Sequence, residues 1–355
     1  FILAGYLKNN PRSNEASLKY VIYGAFSSGI MLYGLSIIFG LTGTTKFFAI
    51  RDAITTLDAS SSLALTLSTV FVLAGFGYKI SAVPFHFWTP DVYEGSPTPI
   101  TAYLSVAPKA AGFALMIRFF NQVFIDGDSL STIGWYADVS FAWPELLGVI
   151  SVVTMTLGNL VAIQQNSVKR MLAYSSIAHA GYMLMAFPTV SSEGVFAVMI
   201  YLVMYLFMNL GAFFVLIYVS QKEGGENFEH FSGLGWRMPI VGIVMTVFMF
   251  SLTGLPPTVG FIGKFYLFVA VINAGSSFYW IAFFGAINTV VSLYYYMRVV
   301  KTMYLDGEPS EEIVVPSFSI TVIFLVLAVP SVFFGIYWTP ILNWVKDSLL
   351  FFVQI

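Results

Sequence analysis

The 355-residue chain is 58% hydrophobic, 17% aromatic and only 10% charged, with 16 basic and 18 acidic residues for a formal net charge of −2. Soluble domains carry roughly a quarter charged residues, so a water-soluble enzyme is excluded, and the charge balance gives no expectation of a nucleic-acid partner. With no cysteine there is no disulfide, thiolate-held iron–sulfur cluster or thiol nucleophile, and three histidines far apart, without nearby carboxylate pairs, argue against a metal site.

A bilayer core takes about 20 apolar residues per helix, and the charges here fall in clusters separated by long uncharged intervals. The opening FILAGYLKNNPRS is apolar up to Asn9-Asn10-Pro11. Phe1 is therefore expected to lie inside a helix already and the sequence to be N-terminally incomplete; the basic region that opens a signal peptide is missing. Spans are expected at Tyr20 to Thr45, Asp58 to Tyr78, Gly95 to Ile117, Leu146 to Val168, Met171 to Ser192, Gly194 to Gln221, Met238 to Gly263, Phe265 to Met297 and Ile313 to Val345. That makes about nine helices plus the partial one, an all-α polytopic membrane protein. Between the first two spans, Phe47 to Leu57 reads as a short amphipathic helix at the membrane interface, with Phe47, Phe48, Ile50 and Ile54 on its apolar face. The longest polar stretch, Gln221 to Arg237, is too small to form a core, and the acidic turn Asp306 to Glu312 reads as a solvated loop, with a contact to a neighbouring subunit as the alternative.

If each span flips sides, one face collects Lys8, Arg12, Lys169, Arg170, Lys222, Arg237, Arg298 and Lys301, and the other Lys46, Arg51, Arg118 and Lys346. The positive-inside rule assigns the first face to the cytoplasm and places the C-terminus outside.

Every acidic residue lies in a loop or near a span end, but three lysines, Lys79, Lys109 and Lys264, do not. A charge at the bilayer centre costs at least about 3 kcal/mol, so such residues face protein or water and mark a pathway. The alternative is snorkelling, in which the long side chain climbs to the interface; it suits Lys264 worst, because the apolar run from Met238 to Ile272 keeps it far from any charged flank. Helix breaks accompany two of them. Pro84 in GFGYKISAVPFHFWTP should kink or unwind the helix near Lys79, and GLPPTVGFIGK, Gly254 to Lys264, should do the same in the later span. Irregular backbone at membrane depth survives only where protein or a wet cavity surrounds it. GFGYK and GFIGK echo each other, as interrupted helices do in inverted-repeat transporters, although lysine and proline come in opposite order.

Lysines in hydrocarbon suit proton relay, whereas cation binding would need carboxylates within the spans. His179 lies mid-span in KRMLAYSSIAHAGYM with Ser175, Ser176 and Tyr182 within a turn, and either joins that relay or is a histidine satisfied by a neighbouring carbonyl. His86, beside Trp88 and Asp91, reads as structural, and His230 as a loop residue.

PFHFWTPDVYEGSPTPITAYLSVAPKAAGF, SVKRMLAYSSIAHAGYM and FSLTGLPPTVGFIGKFYLF resemble the signature segments of the antiporter-like proton-pumping subunits of respiratory complex I, over essentially the whole chain. Glu15 to Gly40 looks like the subunit N branch of that family rather than subunits L and M or the Mrp-type cation antiporters. The resemblance implies fourteen helices with two inverted five-helix repeats, here residues 1–124 (the remainder of the first), 138–304 (the second) and a C-terminal helix and tail at 313–355. It implies that Lys79 lies on a broken seventh helix, Lys109 on the eighth, His179 on the tenth and Lys264 on a broken twelfth, with the three lysines carrying protons and Lys19 in a secondary role. A partner glutamate for Lys79 is implied upstream of Phe1. The same resemblance implies no cofactor in this chain, with NADH, FMN, iron–sulfur clusters and quinone held by other subunits. It further implies contacts with the bilayer and with the neighbouring subunits M, K and J, and a bacterial inner (plasma) membrane location. A cation/proton antiporter of the Mrp type, or a ferredoxin- or F420-linked relative, is the alternative.

Overall fold

The computed structural model describes residues 1–125, 143–307 and 313–353, and the described chain is helical. After a 3-10 turn at Ile2–Gly5, α1 (Pro11–Thr42) starts where Asn10 caps it, accepting from the Arg12 N–H, with Pro11 at its first position, and it stops at Gly43 in the left-handed region. Helix α2 (Phe47–Ile54) lies against the bundle, α3 (Ser62–Ile80) and α4 (Trp88–Gly95) flank the first break, and α5 (Thr98–Val123) follows. Helices α6 (Trp143–Ile163), α7 (Val168–Leu184) and α8 (Ser192–Glu223) come next, then the single turn α9 (Leu234–Arg237). Helices α10 (Pro239–Thr253) and α11 (Val259–Asn273) flank the second break, and α12 (Tyr279–Tyr304), α13 (Phe318–Ile336) and α14 (Thr339–Val353) close the described chain.

Seven of these, α1, α3, α5, α6, α8, α12 and α13, are long and apolar enough to cross a membrane. The two remaining expected intervals hold α7, which is shorter and carries lysine, arginine, serines and histidine, and the α10–α11 pair. Helix α7 is buried along almost its whole length, so its polar face meets protein and not lipid. Its backbone approaches α6 closely: a Cβ on Gly181 would fall 2.5 Å from the Met155 nitrogen. Glycine at that point lets the two helices touch backbone to backbone.

Four expectations change. Phe1 leads into a 3-10 turn. The boundary placed at Lys264 falls inside α11, because taking charges as span limits cuts a helix wherever a lysine sits mid-span. The interval Ile313 to Val345 is two helices, α13 and α14, parted at Tyr337–Trp338. On α2 only Ile50 and Ile54 are buried and Phe47 packs partly against the core, while Phe48 points out, 50% exposed, under the Arg51 guanidinium. The expected start of a second repeat at residue 138, and the acidic run at 308–312, lie outside the described residues.

Candidate functional site

Both breaks are locally encoded. Helix α3 ends where Ser81 turns left-handed at φ 65° and Ala82 N–H bonds back to the Gly77 carbonyl; the Val83–Pro84 peptide is cis, and Trp88 Nε1 donates to the Tyr78 carbonyl across the gap. Helix α10 ends at Gly254, φ 87°, and Thr258 in extended conformation leads into α11 across the cis Pro256–Pro257 peptide. The last carbonyls of a helix have no intrahelical donor and carry its partial negative charge. At the second break a lysine answers one of them: Lys264 Nζ, on α11, donates to the Thr253 carbonyl at 2.8 Å and lies 4.3 Å from the centroid of the Tyr182 ring. Lys264 is 4% exposed and no carboxylate pairs with it among the described residues.

Lys109 is enclosed as completely. Its ammonium donates to the Ser176 carbonyl at 2.6 Å and also to the Ser176 hydroxyl, linking α5 to α7. Pro108 just before it has no N–H for the Leu104 carbonyl one turn back, and Tyr93 Oη fills that place at 3.1 Å. On the far side, Asn209 of α8 donates to Ser105 Oγ at 2.6 Å, while the Asn209 Oδ1 and Tyr205 Oη atoms are buried with no hydrogen-bond partner among the described residues.

His179 stands between the two lysines along α7. Its Nδ1 is 2.7 Å from Tyr201 Oη of α8, and its Nε2 is 3.0 Å from Tyr296 Oη of α12. Tyr296 Oη is in turn 2.5 Å from Ser175 Oγ. A third polar layer joins α6 to α12, with Tyr295 Oη donating to Asn159 Oδ1 at 2.9 Å and Asn159 Nδ2 to Asn288 Oδ1 at 3.0 Å. Lys109, His179 and Lys264 are thus brought into one buried polar seam through the bundle.

Lys79 is not. It sits in the last turn of α3 and is exposed, forming no hydrogen bond or ion pair among the described residues, although a Cβ on Gly112 of α5 would meet its Cγ at 3.2 Å. Lys19 belongs to an ionic cluster instead: its ammonium is 2.6 Å from both Glu15 and Asp91, Asp91 is 3.1 Å from Arg170, and Arg170 also holds Glu94. Glu15, Asp91, Glu94 and Arg170 line a cavity of 180 Å³ together with Arg12. Lys169 alongside is 3% exposed and bonds Ser96 O at 2.9 Å and Glu226 at 3.2 Å. Arg298 donates to the Gln165 carbonyl at 3.0 Å. Arg12, Lys169, Arg170 and Arg298, all assigned to one membrane face from sequence, accordingly gather at one end of the bundle. His86 is buried, with Nδ1 unpartnered among the described residues.

Sequence reading missed Tyr201, Tyr296 and Asn159, because tyrosines and an asparagine spaced along apolar helices look like core. It missed the α1–α4–α7 cluster because ion pairing across helices has no linear pattern. Among the described residues no group of three or more His, Asp or Glu side chains is placed to hold a metal ion.

A helical membrane bundle with two broken helices, and with buried Lys109 and Lys264 that have no carboxylate partner among the described residues, has the architecture of an antiporter-like membrane subunit. Residues 1–292 match the family model described as NADH:quinone oxidoreductase/Mrp antiporter, TM, and the chain belongs to that family. It is 52% identical over 98% of its length to NADH-quinone oxidoreductase subunit N 2 of Sorangium cellulosum, covering 69% of that protein. Among solved structures it is similar to a chain of respiratory complex I from Thermus thermophilus, at 31% identity and TM-score 0.75, over 94% of this chain and 69% of that one. A chain of the archaeal membrane-bound sulfane sulfur reductase gives TM-score 0.85 at 28% identity, over 99% and 68% of the two chains.

Proposed function

We propose that this chain is the proton-translocating subunit N of an NADH:quinone oxidoreductase in a bacterial inner membrane, a translocase subunit that performs no redox chemistry itself. The observation that carries the reading is the enclosure of Lys109 and Lys264 in one buried polar seam of a chain of this family. A proton enters from the cytoplasmic side at Lys79, moves to Lys109, passes the His179 region and reaches Lys264, from which it leaves on the other side. Lys19 plays a secondary part, fixing Asp91 at the end of the bundle where protons enter. Quinone reduction in other subunits drives the transfer through charge coupling, and the flanking membrane partners are subunits M, K and J. The Mrp-type antiporter reading shares the fold, but the high identity to a named subunit N favours the oxidoreductase.

The test is proton translocation per electron pair in membrane vesicles holding the assembled complex with Lys79→Ala, Lys109→Ala or Lys264→Ala. The reading expects a lower ratio in each with quinone reduction still measurable; an unchanged ratio in fully assembled Lys109→Ala and Lys264→Ala complexes overturns it.

A further inference from the structure

His179 is the only described side chain in the seam with both of its polar atoms bonded to tyrosine hydroxyls, and those tyrosines come from different helices. We infer that Tyr296 and Tyr201 are relay residues, and that the proton crosses the middle of the seam through Ser175, Tyr296, His179 and Tyr201 by exchange of the two neutral tautomers of His179. This rests on the proton-translocating reading above.

A neutral imidazole carries one N–H, so of its two bonds one is donated and one accepted. If Nδ1–H donates to Tyr201, then Nε2 accepts from Tyr296, whose own oxygen is free to accept from Ser175 Oγ. The transfer balances atom by atom: Ser175 gives a proton to Tyr296 as Tyr296 gives its own to Nε2, and Nδ1 gives its proton to Tyr201 as Tyr201 passes its own to the neutral Lys264 amine. Ser175 regains its proton from the Lys109 side. The ring ends neutral with the N–H moved from Nδ1 to Nε2, so no positive charge is placed on it between two buried lysines. The hydroxyls then have to rotate, and the tautomer to revert, before a second proton can pass.

One end of the chain is a sequence neighbour of the residue that holds Lys109, and the other packs on a sequence neighbour of Lys264. Ser175 adjoins Ser176, which holds Lys109. The Tyr201 ring packs on Gly263, beside Lys264, where an added Cβ would lie 2.8 Å from its Cδ2. Each residue of the chain is fully buried, so its hydroxyl has no competing contact with bulk water.

The experiment compares assembled complexes carrying Tyr296→Phe, Tyr201→Phe, both together, and Tyr218→Phe, a buried α8 tyrosine whose ring packs on Phe324 of α13 and takes no part in the chain. The readouts are the proton-to-electron ratio in vesicles and its solvent deuterium dependence. The expected result is a ratio lowered at least twofold in each single relay variant, no further loss in the double variant because the steps are in series, and a normal ratio in Tyr218→Phe. An unchanged ratio in assembled Tyr296→Phe or Tyr201→Phe overturns the proposal, as does an equal loss in Tyr218→Phe. Should Tyr296→Phe fail to assemble, Ser175→Ala tests the same link with a smaller change: a lowered ratio supports the relay and an unchanged one overturns it. If the lysine variants lower the ratio and the tyrosine variants do not, the relay alone fails; if neither set does, the proton-translocating reading fails with it.

Discussion

Gly260 sits where α10 and α11 nearly touch, and Gly260→Ala is the smallest change that should pull the second break apart. A Cβ there would lie 1.7 Å from the Ser251 carbonyl oxygen, whereas non-bonded heavy atoms rest at about 3.5–4.0 Å. The obstacle is backbone, so α11 must retreat by about 2 Å. Lys264 lies one turn further along α11, and its bond to Thr253 O, 2.8 Å long, would stretch past the hydrogen-bonding limit. Overpacking costs about 1–3 kcal/mol and loss of a hydrogen bond to a charged group about 1.5–3 kcal/mol, so about 2.5–6 kcal/mol is expected in all. Thermal inactivation of the assembled complex and its proton-to-electron ratio measure the two consequences, and both should fall together. Gly40→Ala is the control: nothing lies within 4 Å of its Cβ, and a helical glycine in open space tolerates alanine at no cost or a small gain. A Gly260→Ala complex with the stability and proton ratio of the parent would refute the link between the width of the break and the seating of Lys264.

Asn159→Leu strands two buried partners, the Tyr295 hydroxyl and the Asn288 amide, and is expected to cost about 2–4 kcal/mol in thermal stability, with Tyr295→Phe in the same chain restoring part of it. Arg170→Ala removes the bonds to Asp91 and Glu94, but the pairs are about 30% exposed, so the loss should be about 1 kcal/mol and shrink as salt is raised; a shift independent of ionic strength would point to packing instead. Lys109→Met, which keeps the aliphatic stem and drops the ammonium, should lower the proton ratio with little loss of stability, since no buried charge is left unpaired; a large fall in thermal midpoint would mark Lys109 as structural.

Hydropathy made the bundle legible because lipid leaves few solutions for an apolar chain, and the two breaks were legible because Pro84 and the Gly254 to Pro257 run cannot continue a helix. The join between α13 and α14 was hidden by the lack of charge, although Thr339-Pro340 is a helix-opening pair. Depth along a span is also readable, and it picked out Lys109 and Lys264. What covers a residue sideways is not: Lys79 shares the G-F-x-x-K pattern with Lys264 and stands exposed, because enclosure depends on which helices pack around it. For the same reason Tyr201 and Tyr296 could not be told from the other tyrosines until their helices brought them to opposite sides of one imidazole.

The echo between GFGYK and GFIGK therefore conceals an asymmetry with a physical consequence. Lys79 precedes its break, in the last turn of α3, where a cation meets the negative end of its own helix. Lys264 follows its break, in the second turn of α11, where its own helix presents the unfavourable positive end. It is held because its side chain crosses the gap to the terminal carbonyl of α10. The second break is thus part of what solvates this cation, replacing water with a carbonyl and the face of Tyr182. A buried ammonium whose chief partner belongs to another helix segment is sensitive to every movement of that segment. On the proposed role of Lys264, widening or narrowing the α10–α11 gap would act directly on its proton and give conformational changes elsewhere in the complex a mechanical route to the end of the seam.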